Sequence, residues 1–224
     1  MLIKDLMTLD LIHISPHRSV ADAGEVMEEH RIRHLPVLDE DGRLLGLVTR
    51  SSLGRALPGM GGGLTRFEFN YLASSTSVNE VMIKEPMVIG EDEGAEEAAR
   101  VMNVNQISSL LVMREGELVG IITDTDLFES LLELLGARRP GIRLTVHVPN
   151  RAGELAKVTT AIAEAGGFLT AVGGWYVKGT GEEVFGAVLR IENLSREQTL
   201  DAINQLPEIT VADVRGEEII HSEL

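Results

Sequence analysis

Thr123 and Asp126 stand three residues apart, where the apolar run Gly120-Ile121-Ile122 gives way to Asp124-Thr125-Asp126-Leu127. A hydroxyl at the end of a strand and a carboxylate in the first turn of the following helix point the same way. Together they can grip a polar ligand, or they can cap the helix, which needs the same residue types. Reactive chemistry has no comparable signature. The chain has no cysteine, which excludes disulfides, thiolate metal sites and a Cys nucleophile. No Ser–His–Asp arrangement has a supporting motif, so no catalytic residue is assigned and a non-enzyme is expected. His13 and His17 flank Pro16, and His30 and His34 span a helix end, so neither pair is expected to hold a metal. Gly59-Met60-Gly61-Gly62-Gly63-Leu64-Thr65 lacks the Gly-Lys-Ser/Thr ending of a phosphate loop and reads as linker. Glu91-Asp92-Glu93 with Glu96 and Glu97 reads as a solvated face beside a helix N-terminus.

Composition narrows the partners. The 224 residues are 44% apolar and 25% charged, a globular composition with room for one or two domains or several small modules. Asp and Glu number 35 against 20 Lys and Arg, a net charge of −15. Such a surface repels nucleic acid and anionic membrane alike, so neither is expected as a partner. Runs such as Leu44-Leu45-Gly46-Leu47-Val48 are far short of a membrane span. Asp5 and Asp10 interrupt any signal-peptide core, so a cytoplasmic location is expected.

The elements that position Thr123 and Asp126 belong to a repeat. Met7 through Leu38 overlays Met82 through Met113 at a constant offset of 75, matching Ile14, Ala23, Met27 and Leu35 with Ile89, Ala98, Met102 and Leu110. After one deletion the offset becomes 74, and Gly42, Gly46, Thr49 and Leu53 fall on Gly116, Gly120, Thr123 and Leu127. Each unit predicts an opening strand (Leu11–Ile14), a helix capped by Ser19 with Asp22, a hairpin (Leu35–Leu38 and Leu44–Val48) and a helix from Ser51 to about Leu57. The recurring Met7, Met27, Met82 and Met102 read as core. A unit this small buries too little alone, so the two are expected to pack sheet against sheet. Between them, residues 58–77 form a glycine-rich linker with a short helix from Leu64 to Leu72. Its Phe67, Phe69 and Tyr71 are expected to pack against the units, with an oligomer contact as the alternative.

A third module begins near Ile142. Leu144, Val146 and Val148 alternate with polar residues, the turn Pro149-Asn150-Arg151-Ala152-Gly153 opens a helix, and Gly166-Gly167 stops it. Phe168–Val177 and Val184–Ile191 form a hairpin, Ser195 with Gln198 caps a second helix, and Ile209–Val214 ends the pattern. The order βαββαβ is that of a ferredoxin-like split βαβ.

The duplicated unit resembles a CBS domain pair, or Bateman module. The resemblance is carried by Asp5-Leu6-Met7-Thr8, His34-Leu35-Pro36-Val37, Asp41-Gly42-Arg43-Leu44-Leu45-Gly46-Leu47-Val48-Thr49 and Gly120-Ile121-Ile122-Thr123-Asp124-Thr125-Asp126-Leu127. The third module resembles an ACT domain through Pro149-Asn150-Arg151-Ala152-Gly153-Glu154-Leu155 and Ala163-Glu164-Ala165-Gly166-Gly167. The order of modules resembles the bacterial acetoin utilization type. The fold class is then α/β (α+β): CBS unit 1 at 1–57, CBS unit 2 at 78–137 in a pseudo-symmetric pair, an ACT domain at 142–215 and a tail at 216–224.

The resemblance implies a regulatory protein holding an adenosine compound between the CBS units. Thr123 would serve a phosphate and Asp126 a ribose, with Ile121, Ile12 and Ile32 around the base and Arg33 supplying charge. So few cations suit adenosine monophosphate, or S-adenosylmethionine, a cation, better than a triphosphate. A second site would use Thr49, Ser52, Met87, Ile107 and Ser108. There Ser52 replaces Asp126, Ser108 replaces Arg33, and Arg50 is the only obvious cation, so this site is expected to be weaker, empty or suited to another ligand. Asn150, Ala152 and Gly153 would receive an amino acid at an ACT interface, or form an ordinary βα turn. A homodimer is implied. No cofactor is required, and no metal. The rival reading is a constitutive dimeric scaffold that binds a metabolic enzyme without any ligand.

Overall fold

The computed structural model describes residues 1–56, 65–181 and 183–216. The chain divides into two compact units, Met1–Leu127 and Phe128–Leu224. The expected glycine linker 58–63, the expected helix ends Leu57 and Leu64, the Phe69 side chain and tail residues 217–224 lie outside the described residues.

In the first unit a 3-10 turn, Ile3–Asp5, precedes α1 (Val20–Glu29), β1 (His34–Leu38), β2 (Leu44–Thr49) and α2 (Arg50–Ala56). After α3 (Arg66–Ser75) the pattern recurs as α4 (Val78–Val81), β3 (Val88–Gly90), α5 (Ala95–Asn105), β4 (Ser109–Arg114), β5 (Glu117–Thr123) and α6 (Asp124–Leu134), whose last residues fall in the second unit. The expected capping box forms: Asp22 N–H donates to Ser19 Oγ at 3.1 Å, and Ser19 N–H to Asp22 Oδ2 at 3.0 Å. Val20, Ala23 and Met27 are the buried face of α1.

One expected strand is missing. β3 pairs parallel with β4, but its counterpart at Leu11–Ile14 is reduced to a single bridge, Ile14 to Val37. In the second repeat Leu111 N–H donates to Met87 O at 3.2 Å. The offset of 75 puts Pro36 at the place of Leu111, and proline has no N–H to give. A second expectation also fails. Phe67 and Tyr71 on α3 are 80% and 67% exposed, not packed against the repeats.

The repeats trade their opening segments. Ile3 and Met7 open the first repeat yet pack among Ile89, Ala98, Met102, Leu110 and Val112 of the second. Val78 and Met82 open the second repeat and pack among Ala23, Met27, Leu35 and Val37 of the first. The backbone repeats the exchange. Thr8 and Ile121 bond in both directions at 2.9 and 3.1 Å, and Leu47 and Ile83 do the same at 2.9 Å each way. Ile3 and Val78 are fully buried, worth about 1.5–3 kcal/mol each. Where the sheets face each other, Leu47, Leu111 and Ile121 form a cluster of their own.

The second unit contains β6 (Ile142–Pro149), α7 (Glu154–Glu164), β7 (Phe168–Tyr176), β8 (Val184–Glu192), α8 (Arg196–Asn204) and β9 (Thr210–Arg215). Its sheet runs β7-β8-β6-β9 with every neighbour antiparallel. That is the split βαβ topology. Leu144, Val146, Leu189 and Ile191 from the sheet meet Val158, Ile162 and Ile203 from the helices in one core.

The exchange predicts an asymmetry among glycines. A Cβ on Gly46 would lie 2.6 Å from Ile83 O, and one on Gly120 would lie 2.6 Å from Met7 Sδ and 3.1 Å from Thr8 O. Helical Gly24 has nothing within 4 Å of that position. Gly46→Ala is expected to cost roughly 1–3 kcal/mol by overpacking, whereas Gly24→Ala should gain about 0.5–1 kcal/mol. Urea unfolding of the two variants checks both signs.

Candidate functional site

The pseudo-twofold exchange leaves two clefts in the first unit. Ile12, Ile32, Arg33, Ile121, Thr123 and Asp126 all line one cleft of about 310 Å³. Ile12 comes from the segment where no strand forms, Ile32 and Arg33 from the turn between α1 and β1, and the other three from β5 and the head of α6. Thr8, Asp10 and Arg31 join them; Thr8 ends the Asp5-Leu6-Met7-Thr8 motif, and Asp10 and Arg31 belong to none. Arg31 has a positive φ of 55°, and Gln106, its counterpart at the second cleft, one of 53°. Such backbone costs of order 1 kcal/mol, and both repeats hold it beside a cleft.

The helix-cap reading of Thr123 and Asp126 is realised. Asp126 Oδ2 accepts from Thr123 N–H at 2.7 Å and from Thr123 Oγ1 at 2.8 Å. The Thr123 hydroxyl proton is therefore committed to the cap and does not face an outside phosphate. Asp126 Oδ1 makes no hydrogen bond among the described residues.

The second cleft is larger, about 710 Å³, and is lined by Thr49, Met87, Ile107 and Ser108. Ser52 is not among its walls. It is buried, with its hydroxyl accepting from Thr49 N–H and donating to Thr49 O, each at 3.1 Å. The small side chain reaches only its own cap. The expectation of one nearby cation also needs correcting: Arg33, Arg50 and Arg55 all line this cleft, with Glu85 the lining carboxylate. Arg33 lies far from the others in sequence. Its placement depends on the β1–β2 hairpin, where His34 pairs with Thr49.

Between the clefts, Arg33 pairs with Asp124 at 3.1 Å and His34 Nε2 meets Ser108 Oγ at 2.9 Å. The backbone keeps the pseudo-symmetry here, with Arg50 N–H to Arg33 O and Asp124 N–H to Ser108 O both at 3.0 Å. Burial lowers the His34 pKa from its ordinary 6.5, Arg33 adds to the effect, and Asp124 opposes it.

In the second unit, Gly153 caps α7 with a φ of 87°, in the turn that holds Asn150 and Ala152. The next residue, Glu154, is buried, and its carboxylate is held by Lys157 at 2.9 and 3.0 Å and by Arg151 at 3.0 Å. These partners keep its carboxyl below the usual range, Lys157 foremost. The positive end of α7 thus already carries an anion. Glu91 is no free solvated face either, since Arg114 binds it. Among the described residues no group of three or more His, Cys, Asp or Glu could hold a metal ion, and no helix is long and apolar enough to cross a membrane.

A duplicated unit whose copies bury each other's opening segments around two pseudo-equivalent clefts defines a paired-repeat module. The family model described as CBS domain matches residues 3–59 and 78–133, and the chain belongs to that family. CBS domain proteins are generally regulatory modules. An inosine-5'-monophosphate dehydrogenase of Korarchaeum cryptofilum is 34% identical over 122 residues, 53% of this chain and 22% of that enzyme. A CBS domain-containing protein of Dictyostelium discoideum is 31% identical over 140 residues, 60% of this chain and 93% of its own length. A solved Vibrio cholerae protein, provisionally assigned as an acetoin utilization protein (AcuB), is 31% identical with a TM-score of 0.51, covering 62% of this chain and 98% of that one. The chain spans 22–23% of the curated enzymes it first matches. Other solved pairs hold adenosine compounds: 5'-methylthioadenosine and S-adenosyl-L-methionine in one, AMP in CBSX2. Those ligands are properties of those two chains.

The half-buried His34 imidazole makes stability depend on pH. The folded state disfavours the imidazolium, while the unfolded chain takes the proton at the ordinary value. This contribution is fully present above pH 6.5 and is lost as pH falls below it, down to the folded-state pKa. The urea midpoint should drop between about pH 7.5 and about pH 5.5, and His34→Gln should flatten that drop.

Proposed function

We propose that the chain is a ligand-sensing regulatory protein that takes an adenosine-containing compound of low charge in the first cleft. One observation carries the reading: Asp126, with Oδ1 unbonded among the described residues, stands in one cleft with three isoleucines from three separate segments. Isoleucine walls suit a purine, and a carboxylate can accept from ribose hydroxyls. Asp10 and Asp126 offset Arg31 and Arg33 in the lining, so a monophosphate or a sulfonium cation fits better than a triphosphate. AMP and S-adenosylmethionine are the leading ligands of this reading.

Occupancy would bias the packing of the two repeats if the compound binds their two arrangements differently. The βαββαβ unit acts in this reading as an ACT-like pairing domain of a homodimer, with an amino acid at its Asn150–Gly153 turn as an additional effector. The regulated partner is an unidentified metabolic enzyme, in keeping with the enzymes that contain the matching stretch elsewhere. A constitutive scaffold is the second reading. It is favoured by one fact, that Thr123 and Asp126 already satisfy each other.

A thermal-shift panel of AMP, ATP, S-adenosylmethionine and amino acids decides between them. At ten times Kd, binding adds about 1.4 kcal/mol, a rise of roughly 2–4 °C for a two-state unit of this size. Asp126→Ala should lose about 1 kcal/mol with its cap and, with folding verified by circular dichroism, lose the nucleoside response as well. A flat panel supports the scaffold, and steady turnover of a nucleotide would contradict a purely regulatory role.

A further inference from the structure

The two clefts are alike in backbone and differ in charge, the first balanced and the second net positive. The offset of 74 puts Arg50 and Ser52 at the head of α2 where Asp124 and Asp126 stand at the head of α6. The pseudo-twofold therefore maps two carboxylates onto a guanidinium and a hydroxyl. Arg50, Arg55 and Arg33 converge on the second cleft. The guanidinium groups of Arg50 and Arg55 make no ion pair or hydrogen bond among the described residues. In a chain of net charge −15, that is a local inversion of sign. Three arginines and one carboxylate, Glu85, line this cleft; Arg50 and Arg55, joined by Arg33 when it leaves Asp124, match a compound carrying two or more phosphate charges, which arginine forks bind bidentately.

Arg33 and His34 line both clefts. The partner of Arg33 is Asp124, and that pair is open to solvent, with side chains 53% and 37% exposed. Exposed pairs of this kind are easily given up for a better anion. If Arg33 turns toward the second cleft, the first keeps Asp10 and Asp126 against Arg31 alone.

We infer that Arg33 couples the clefts: a polyphosphate compound in the second raises the affinity of the first for a cationic adenosyl compound and lowers it for a phosphorylated one. The inference rests on the adenosine reading of the first cleft. Linkage requires the reverse effect to be equal in size.

Titration calorimetry on the full chain tests it, with inorganic pyrophosphate as the probe of the second cleft. Wild-type protein should bind pyrophosphate, Arg50→Ala/Arg55→Ala should bind it at least tenfold more weakly, and Asp126→Ala should change it less than twofold. The Asp126-dependent binding of S-adenosylmethionine should tighten about fivefold in saturating pyrophosphate, and that of AMP should weaken about fivefold. In Arg33→Met each pair of affinities should become equal. Pyrophosphate binding that is absent, or that follows Asp126 and not Arg50 and Arg55, overturns the inference. So do unchanged affinities when both sites fill, which leaves the first-cleft reading standing. Loss of all adenosyl binding while pyrophosphate still reports Arg50 and Arg55 overturns the reading of the first cleft, and the coupling with it.

Discussion

Each repeat of the first unit is missing a piece of its own interior. Ile3 and Met7 complete the second repeat, and Val78 and Met82 complete the first. Two paired backbone bridges, Thr8 with Ile121 and Leu47 with Ile83, hold the exchanged segments in register. A repeat of this size is short of buried surface by itself, and the exchange is how the shortage is met. It also sets where space remains. Gly46 and Gly120 let the crossing segments lie directly on the hairpins, and the clefts open beside those crossings. Side chains from both repeats therefore line every cleft wall that matters here.

The same geometry explains why the two clefts differ in chemistry while sharing a backbone. Main-chain groups obey the pseudo-twofold closely, as the matched bonds from Arg50 to Arg33 and from Asp124 to Ser108 show. Side chains are free to depart from it. Arg33 and His34 each cross the local axis and bond to the other repeat. The wall between the clefts thus consists of polar, solvent-reachable contacts, whereas the sheet contact behind it is Leu47, Leu111 and Ile121. The polar wall can rearrange at little cost, and the apolar layer cannot.

Much of this was legible from residue order. Local signals worked where the physics is local: the Ser19–Asp22 and Ser195–Gln198 boxes form as their spacing demands, and alternation locates β6 and β8. The six residues proposed for the first cleft do come together, because the repeat register aligns them. What failed was nonlocal or rested on one atom. A repeat says that two units are alike, and is silent on which unit owns Ile3 or Val78. The strand at Leu11–Ile14 was lost to a missing proton on Pro36. Ser52 looked like a shortened Asp126, and its short side chain cannot leave its cap. The arginine cluster was missed because Arg33 joins Arg50 and Arg55 only through the β1–β2 hairpin, where His34 pairs with Thr49.

The traded segments also bear on how the chain is made. Ile3 and Met7 leave the ribosome well ahead of their neighbours from Ile89 to Ile122. Contacts of such long sequence separation are slow to form, so the segment carrying Ile3 and Met7 stays unhoused until the second repeat has been made. The first repeat can close its core once Val78 and Met82 emerge, whereas the second must wait for Ile122. Completion of this unit is set by its last strand, β5, whose Ile122 joins Ile3 and Met7 in one core.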